Sequence, residues 1–305
     1  MMSIEEKRTV DSNKNVKKKD GAKLSPFQKQ VRKLFKNKLT IVGFVLIVII
    51  LIGGILAPYI APYPESITGE INFMNMNQAP SAEHFFGTDE IGRDIFSRVL
   101  FGARYSLMMG VVVLTVAISI GVPLGLIAGF WGGKVNTFIM RLTDIFLAVP
   151  SIILAMAVSA ILEPSLTNTM IAVSFSWWPW FTRLVEAETL KIKNEQFVKA
   201  SHGIGASKWR TAFSEILPNT LPIIIVKATT DMGFVILTGA SLGFLGLGAQ
   251  PPMPEWGNMV AEGRVYLPNM WWGSIFPGLA ILVTVLGFNL LGDGLRDLFD
   301  VELDQ

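Results

Sequence analysis

The chain has 305 residues, 51% of them apolar and only 16% charged. Soluble domains carry roughly 25% charged residues, so the deficit argues against an ordinary soluble enzyme and for a membrane protein. There is no cysteine, which excludes a disulfide framework and thiolate chemistry. The net charge of +2 conceals an asymmetry, because the first 38 residues hold twelve Lys/Arg against four Asp/Glu.

Residues 1–36 lack the apolar content for a core and are expected to form a basic, solvated cytoplasmic tail. Attraction to anionic headgroups, about 1 kcal/mol per basic residue near the surface, is a natural addition. The segment 37–57 carries the first apolar run. It starts behind the long tail and exceeds a secretory h-region, so it reads as an uncleaved anchor. Prolines at the start of the loop 58–103 exclude a long helix there, but residues 95–105 suit a surface helix feeding a second span at 105–130. Further spans are expected at 136–162, 167–182, 222–247 and 274–291 by length and apolarity. The chain therefore reads as all-α and six-span, with a core at 104–298, a short tail at 299–305 and both termini on one side. With that side cytoplasmic, 22 of the 26 Lys/Arg fall inside, as the positive-inside rule requires. A second outer segment, 250–273, is rich in Trp, which suits a membrane–water interface.

Glycine spacing predicts close helix packing. Gly121, Gly125 and Gly129 recur every four residues, as do Gly239 and Gly243, and such faces let backbones approach in lipid. The contact is either within the chain or across a subunit interface. Two ionisable pairs, Lys227 with Asp231 and Arg141 with Asp144, read as intrahelical ion pairs near membrane surfaces. No catalytic constellation is present. The two histidines, His84 and His202, fall on opposite sides of the membrane, which leaves no shared metal site. The stretch GFWGGKVN has Ala128 and Val135 where a phosphate loop needs Gly and Ser/Thr.

The polar, basic island 183–227 is the exception in an apolar chain. Gly203 and Gly205 permit a bend, and Leu217-Pro218 marks where the next helix starts. Ala200, Ser201, Ala206 and Ser207 are small enough for a partner surface to approach, with Lys199, Lys208 and Arg210 as a charged rim. Lys199-Ala200-Ser201, three residues, Gly205, then Leu217-Pro218 resembles the EAA loop of ABC importer permeases. Lys199 stands where that pattern has Glu, and Ser201 where it has Ala. Residues 84–107 (HFFGTDEIGRDIFSRVLFGARYSL), 242–260 (LGFLGLGAQPPMPEWGNMV) and 288–300 (FNLLGDGLRDLFD) are similar to the C-type subunit of the oligopeptide, dipeptide and nickel group.

The resemblance implies a type I permease fold, with the loop 186–220 docking on an ATPase subunit through the island residues named above, Gly203 and Leu217-Pro218 included. It implies a second, related permease as heterodimer partner, two ATPases that bind ATP and Mg, and an extracytoplasmic binding protein. No cofactor is expected in this chain, and no nucleic acid partner. Gly87, Thr88, Asp89, Gly92, Arg93, Asp94, Pro251, Pro252, Glu255 and Trp256 are the expected binding-protein contacts. The cargo implied is a peptide, with nickel or a metal–chelator complex as the rival; a stand-alone channel or secondary transporter is the alternative class. The location implied is a bacterial or archaeal plasma membrane. Lys199 leaves one question: either the loop docks without the acid, or a residue such as Glu195 replaces it.

Overall fold

The computed structural model describes residues 37–300, so the expected basic tail and residues 301–305 lie outside it. Helix α1, Lys38–Ile60, starts where the Asn37 side chain accepts the Leu39 N–H at 3.0 Å. Helix α2, Ile95–Trp131, is a single 37-residue helix capped by Asp94, whose carboxylate accepts the Ser97 N–H at 2.7 Å. It stops at Gly132, where φ is +66°, a conformation glycine adopts without penalty. Helices α3, Gly133–Leu147, and α4, Ser151–Ile161, meet at 82°. Then follow α5, Leu166–Ile192, and the short α6, Gln196–Gly203. Helix α7, Lys208–Phe244, α8, Trp256–Arg264, and α9, Trp272–Asp300, complete the order. The only β pairing among the described residues is an isolated bridge between Thr88 and Asp94.

Four helices are long and apolar enough to cross a membrane: α1, α2, α7 and α9. The bent pair α3–α4 makes a fifth if read as one span. This replaces the continuous third span expected at 136–162. Pro150 cannot continue a helical hydrogen-bond ladder, and it pushes Val149 away from helical geometry. The fourth expected span, 167–182, lies inside α5, which is 27 residues long and so about 40 Å, ample for a bilayer core of about 30 Å. Its Ser, Thr and Trp content keeps it out of the apolar class. The reason is its surroundings: α5 packs on α2, α3, α4 and α7, so its solvent is largely protein rather than lipid.

The α2–α5 contact is the most extensive in the fold. A Cβ placed on Gly121 would lie 2.5 Å from the Trp178 carbonyl oxygen, on Gly125 2.5 Å from that of Thr182, and on Gly129 2.8 Å from that of Glu186. The glycine stripe therefore faces α5 of the same chain. Gly239 instead faces Met109 on α2, and Gly243 faces Glu255 at the start of α8. Helix α1 lies outside this core against α9 and α2, with Ile49, Ile52 and Ile55 exposed.

Candidate functional site

The island folds into α6, a turn, and the first turns of α7. Val198 is fully buried and anchors α6. Gly205 sits at φ +85° with no neighbour near its Cα, so its requirement is conformational, not steric. Ser207 then caps α7 by accepting the Arg210 N–H at 3.3 Å. The regular α-helical part of α7 starts at Leu217-Pro218, as expected, but it continues an already helical segment that begins at Lys208. That segment runs through a π-helical stretch, Thr211–Ile216, directly before them. Pro218 has no N–H and its ring crowds the carbonyl four residues back, and the widened turn accommodates both.

Lys199, Ala200, Gly203, Gly205, Ser207 and Lys208 are exposed, Ala206 is half-buried and Ser201 is buried. Pro218 is exposed and Leu217 half-buried beside the π-helical turn. The Ser201 hydroxyl donates to the carboxylate of Glu215, on that same turn. Of the two alternatives for the acid missing at Lys199, docking without it or replacement by a residue such as Glu195, the second has Glu195 exposed just before α6. Glu215 is the carboxylate that reaches α6, and only the packing of two separate segments brings it there. Large apolar side chains also face outward: Ile204 is 88% exposed and Trp209 58%. Trp209 packs between Trp131 and Phe213, with ring centroids 4.6 and 5.6 Å away. Lys199, Lys208 and Arg210 of the same segment are exposed as well. An isolated loop in water gains nothing by exposing Ile and Trp, whereas a docking surface does.

Most of the expected binding-protein contacts are interior. Gly87, Thr88, Asp89, Gly92, Arg93, Asp94, Glu255 and Trp256 are buried, and only Pro251 and Pro252 of that set are exposed. The buried residues hold the cap together. Arg93 Nε donates to Asp89 Oδ2 at 2.6 Å. Arg93 and Arg98 converge on Glu262 Oε2 at 3.2 and 3.1 Å. His84 Nδ1 lies 2.9 Å from Asp94 Oδ1, with both side chains 2% exposed. Trp256 is fully buried and its indole N–H donates to the Val99 carbonyl at 3.0 Å. Glu255 caps α8, accepting the Gly257 and Asn258 N–H groups at 2.9 Å each. Burial nonetheless pushes its carboxyl pKa up, because losing water outweighs those two hydrogen bonds. The Glu90 carboxyl is likewise raised by burial and by Asp89 beside it. Charge-rich loops usually read as contact surfaces, and the long-range partner Glu262 that buries these charges has no local sequence signal.

The ionisable pairs also differ from expectation. Lys227 does pair with Asp231, at 2.7 Å, and Asp231 also accepts the Trp177 indole N–H at 3.0 Å. Helix α7 continues for several turns before this pair, back to Lys208. Asp144 pairs with Arg183 on α5 instead of with Arg141.

Residues 121–304 match the family described as binding-protein-dependent transport system inner membrane component. Residues 25–80 match the N-terminal TM domain of oligopeptide transport permease C. The chain is 46% identical over 280 residues to the dipeptide transport system permease protein DppC of Alkalihalophilus pseudofirmus, covering 92% of this chain and 91% of that one. It is 44% identical to the probable D,D-dipeptide transport system permease protein DdpC of Escherichia coli, over 98% of this chain and 97% of the relative. The glutathione transport system permease protein GsiD of Pectobacterium atrosepticum is 40% identical, with 93% and 94% covered. Among solved structures, a chain of the inward-facing MetNI methionine ABC transporter superposes with a TM-score of 0.54 at 21% identity. That superposition covers 67% of this chain and 95% of the other and shows a shared fold. With its multi-span helical architecture and a family match over most of its length, this chain belongs to the inner membrane components of binding-protein-dependent ABC import systems.

Proposed function

We propose that this chain is one half of the translocation pathway of an ATP-driven peptide importer, coupled to its ATPase through the loop 186–220. The observation that carries the coupling role is the exposure of Ile204 and Trp209 in a segment whose Lys199, Lys208 and Arg210 are exposed too. Peptide as cargo is supported by the dipeptide and glutathione names of the relatives. The second permease subunit is a related chain, and each of the two docks one ATPase. ATP and Mg bind in those ATPases, whose closure draws the two loops together and tilts the helices between inward-open and outward-open states.

Both termini lie in the cytoplasm, as the distribution of Lys and Arg favours. The binding protein then delivers peptide to the opposite end. Its contacts are the exposed rim of the cap, where Phe73, Met74 and Phe85 stand out with Pro251 and Pro252, while the buried charges beneath keep that rim rigid. The test is the double variant Ile204→Glu/Trp209→Glu in the complete transporter. Both sites are exposed, so assembly of the two permease subunits should survive, while co-purifying ATPase and peptide import are lost. Retention of ATPase at wild-type stoichiometry, with import intact, would refute the docking role.

A further inference from the structure

The loop between α1 and α2 encloses a cavity of about 390 Å³, lined by side chains between Tyr63 and Asn75 and between His84 and Asp94. That is the size of a small ligand site, and its walls are mixed. Glu65 and Glu70 bring carboxylates, while Phe73 and Met74 bring apolar surface that stays 75% and 92% exposed. The charge of the loop is one-sided. From residue 58 to residue 94 the exposed charged side chains are Glu65, Glu70 and Glu83. The one arginine of that stretch, Arg93, is 3% exposed and already held by Asp89 and Glu262.

Two further observations show what the cavity favours. His84 is 2% exposed, and its Nδ1 lies 2.9 Å from Asp94 Oδ1. A carboxylate only accepts, so Nδ1 carries the proton of that bond and Nε2 is left as an acceptor. Nε2 is buried and has no hydrogen-bond partner among the described residues, and a buried acceptor is destabilising until a donor reaches it. Tyr63, whose ring lies against the imidazole with centroids 4.7 Å apart, reports the local field. Burial, then the carboxylates of Glu83, Asp94 and Glu65, raise its phenol pKa, because nearby negative charge disfavours a phenolate. The same field favours a cation.

We propose that this cavity receives a lysine side chain of the binding protein. The methylene stem lies along Phe73 and Met74, as long cationic side chains lie along apolar surface. The ammonium sits among Glu65, Glu70 and His84, whose acceptors suit its three N–H donors. The amino terminus of a peptide cargo is cationic too, but it lacks the stem that the apolar wall fits. The assignment rests on the importer reading above, in which this end of the chain meets the binding protein, and adds the chemistry of that contact. Glu65, Glu70 and Glu83 together steer a basic surface toward the cavity, so the association weakens as salt screens them.

Glu65→Gln and Glu70→Gln together remove two charges with almost no change of shape, and both sites are exposed, so assembly should survive. The complete transporter in lipid nanodiscs would be mixed with its own binding protein loaded with a dipeptide. A carbodiimide, which condenses a carboxylate directly with an amine, should join Glu65 or Glu70 to a lysine of the binding protein, located by mass spectrometry. In the double variant that cross-link should vanish, and affinity at low salt should fall about tenfold, as when charges that steer an interface are removed. Import should then need about tenfold more binding protein at an unchanged maximal rate, a split that a misfolded permease would not give. Acetylating the lysines of the binding protein, which removes their charge, should weaken binding to the wild type and leave binding to the double variant unchanged. Wild-type affinity in the double variant, with no cross-link to either glutamate, would overturn the assignment. Wild-type affinity with import abolished would overturn it as well and give the cavity to the cargo. A binding protein that does not bind the unaltered transporter at all would refute the importer reading, and the assignment with it.

Discussion

Gly125→Ala adds one methyl group where α2 and α5 cross, and the structure says what that methyl meets. Its carbon would stand 2.5 Å from the Thr182 carbonyl oxygen, 2.9 Å from Val185 Cβ and 3.0 Å from the Glu186 nitrogen. Ordinary contact begins near 3.4 Å, so the first of these is about 0.9 Å too close. All three atoms are backbone or Cβ, which no rotamer change can move, so the helices themselves must separate. Overpacking of this kind costs roughly 1–3 kcal/mol. Alanine also gains roughly 0.5–1 kcal/mol of helix propensity over glycine, which would mask part of the loss. Gly278→Ala in α9 calibrates that gain, because nothing lies within 4 Å of a Cβ there. The difference between the two variants isolates the packing cost. The purified transporter would be heated in detergent and the surviving assembled fraction read by size-exclusion chromatography. Gly125→Ala should lose assembly several degrees below Gly278→Ala. Equal transition temperatures would refute the claim that the glycine stripe sets the α2–α5 distance.

Glu262→Ala would remove a carboxylate that Arg93 and Arg98 share while Asp89 stays beside both; losing hydrogen bonds to charged groups costs about 1.5–3 kcal/mol, and the same thermal assay should show it. Glu255 gives a pH dependence. Its carboxyl pKa is raised above the ordinary 4.5 in the folded protein, so the folded state holds more protons than the unfolded state between the two values. Stability should therefore fall as pH rises through that window, and Glu255→Gln should flatten the dependence; an unchanged profile in the variant would show that another group titrates. Gly205→Val forces a side chain into φ +85°, so the loop should lose coupling, seen as ATPase activity that no longer responds to peptide, while the amount of assembled permease stays unchanged.

How much was legible in the sequence varies with the range of the interaction. The glycine at 205 and the stripe at 121, 125 and 129 announce themselves because each depends on one residue type in one local geometry. The continuous helix through Pro218 did not, because a π-helical turn leaves no compositional mark. The polarity of α5 hid it from hydropathy, since the criterion assumes a lipid environment and α5 is solvated by its neighbours. In the same way, Asp89, Arg93 and Arg98 look like a charged surface until Glu262, far along the chain, folds over them.

Composition and hydropathy alone determined that the chain is a multi-span helical membrane protein interrupted by a basic island. Its motifs were enough to place it among ABC importer permeases. Tertiary structure alone decided which charges are interior and which face outward. It buried the charges of the loop between α1 and α2, set Lys227 against Asp231 and the Trp180 ring, and brought Glu215 to Ser201. The physical reason is that hydropathy and spacing report free energies of single segments. A charge's environment depends on which distant segment packs beside it, and that is fixed only when the helices assemble.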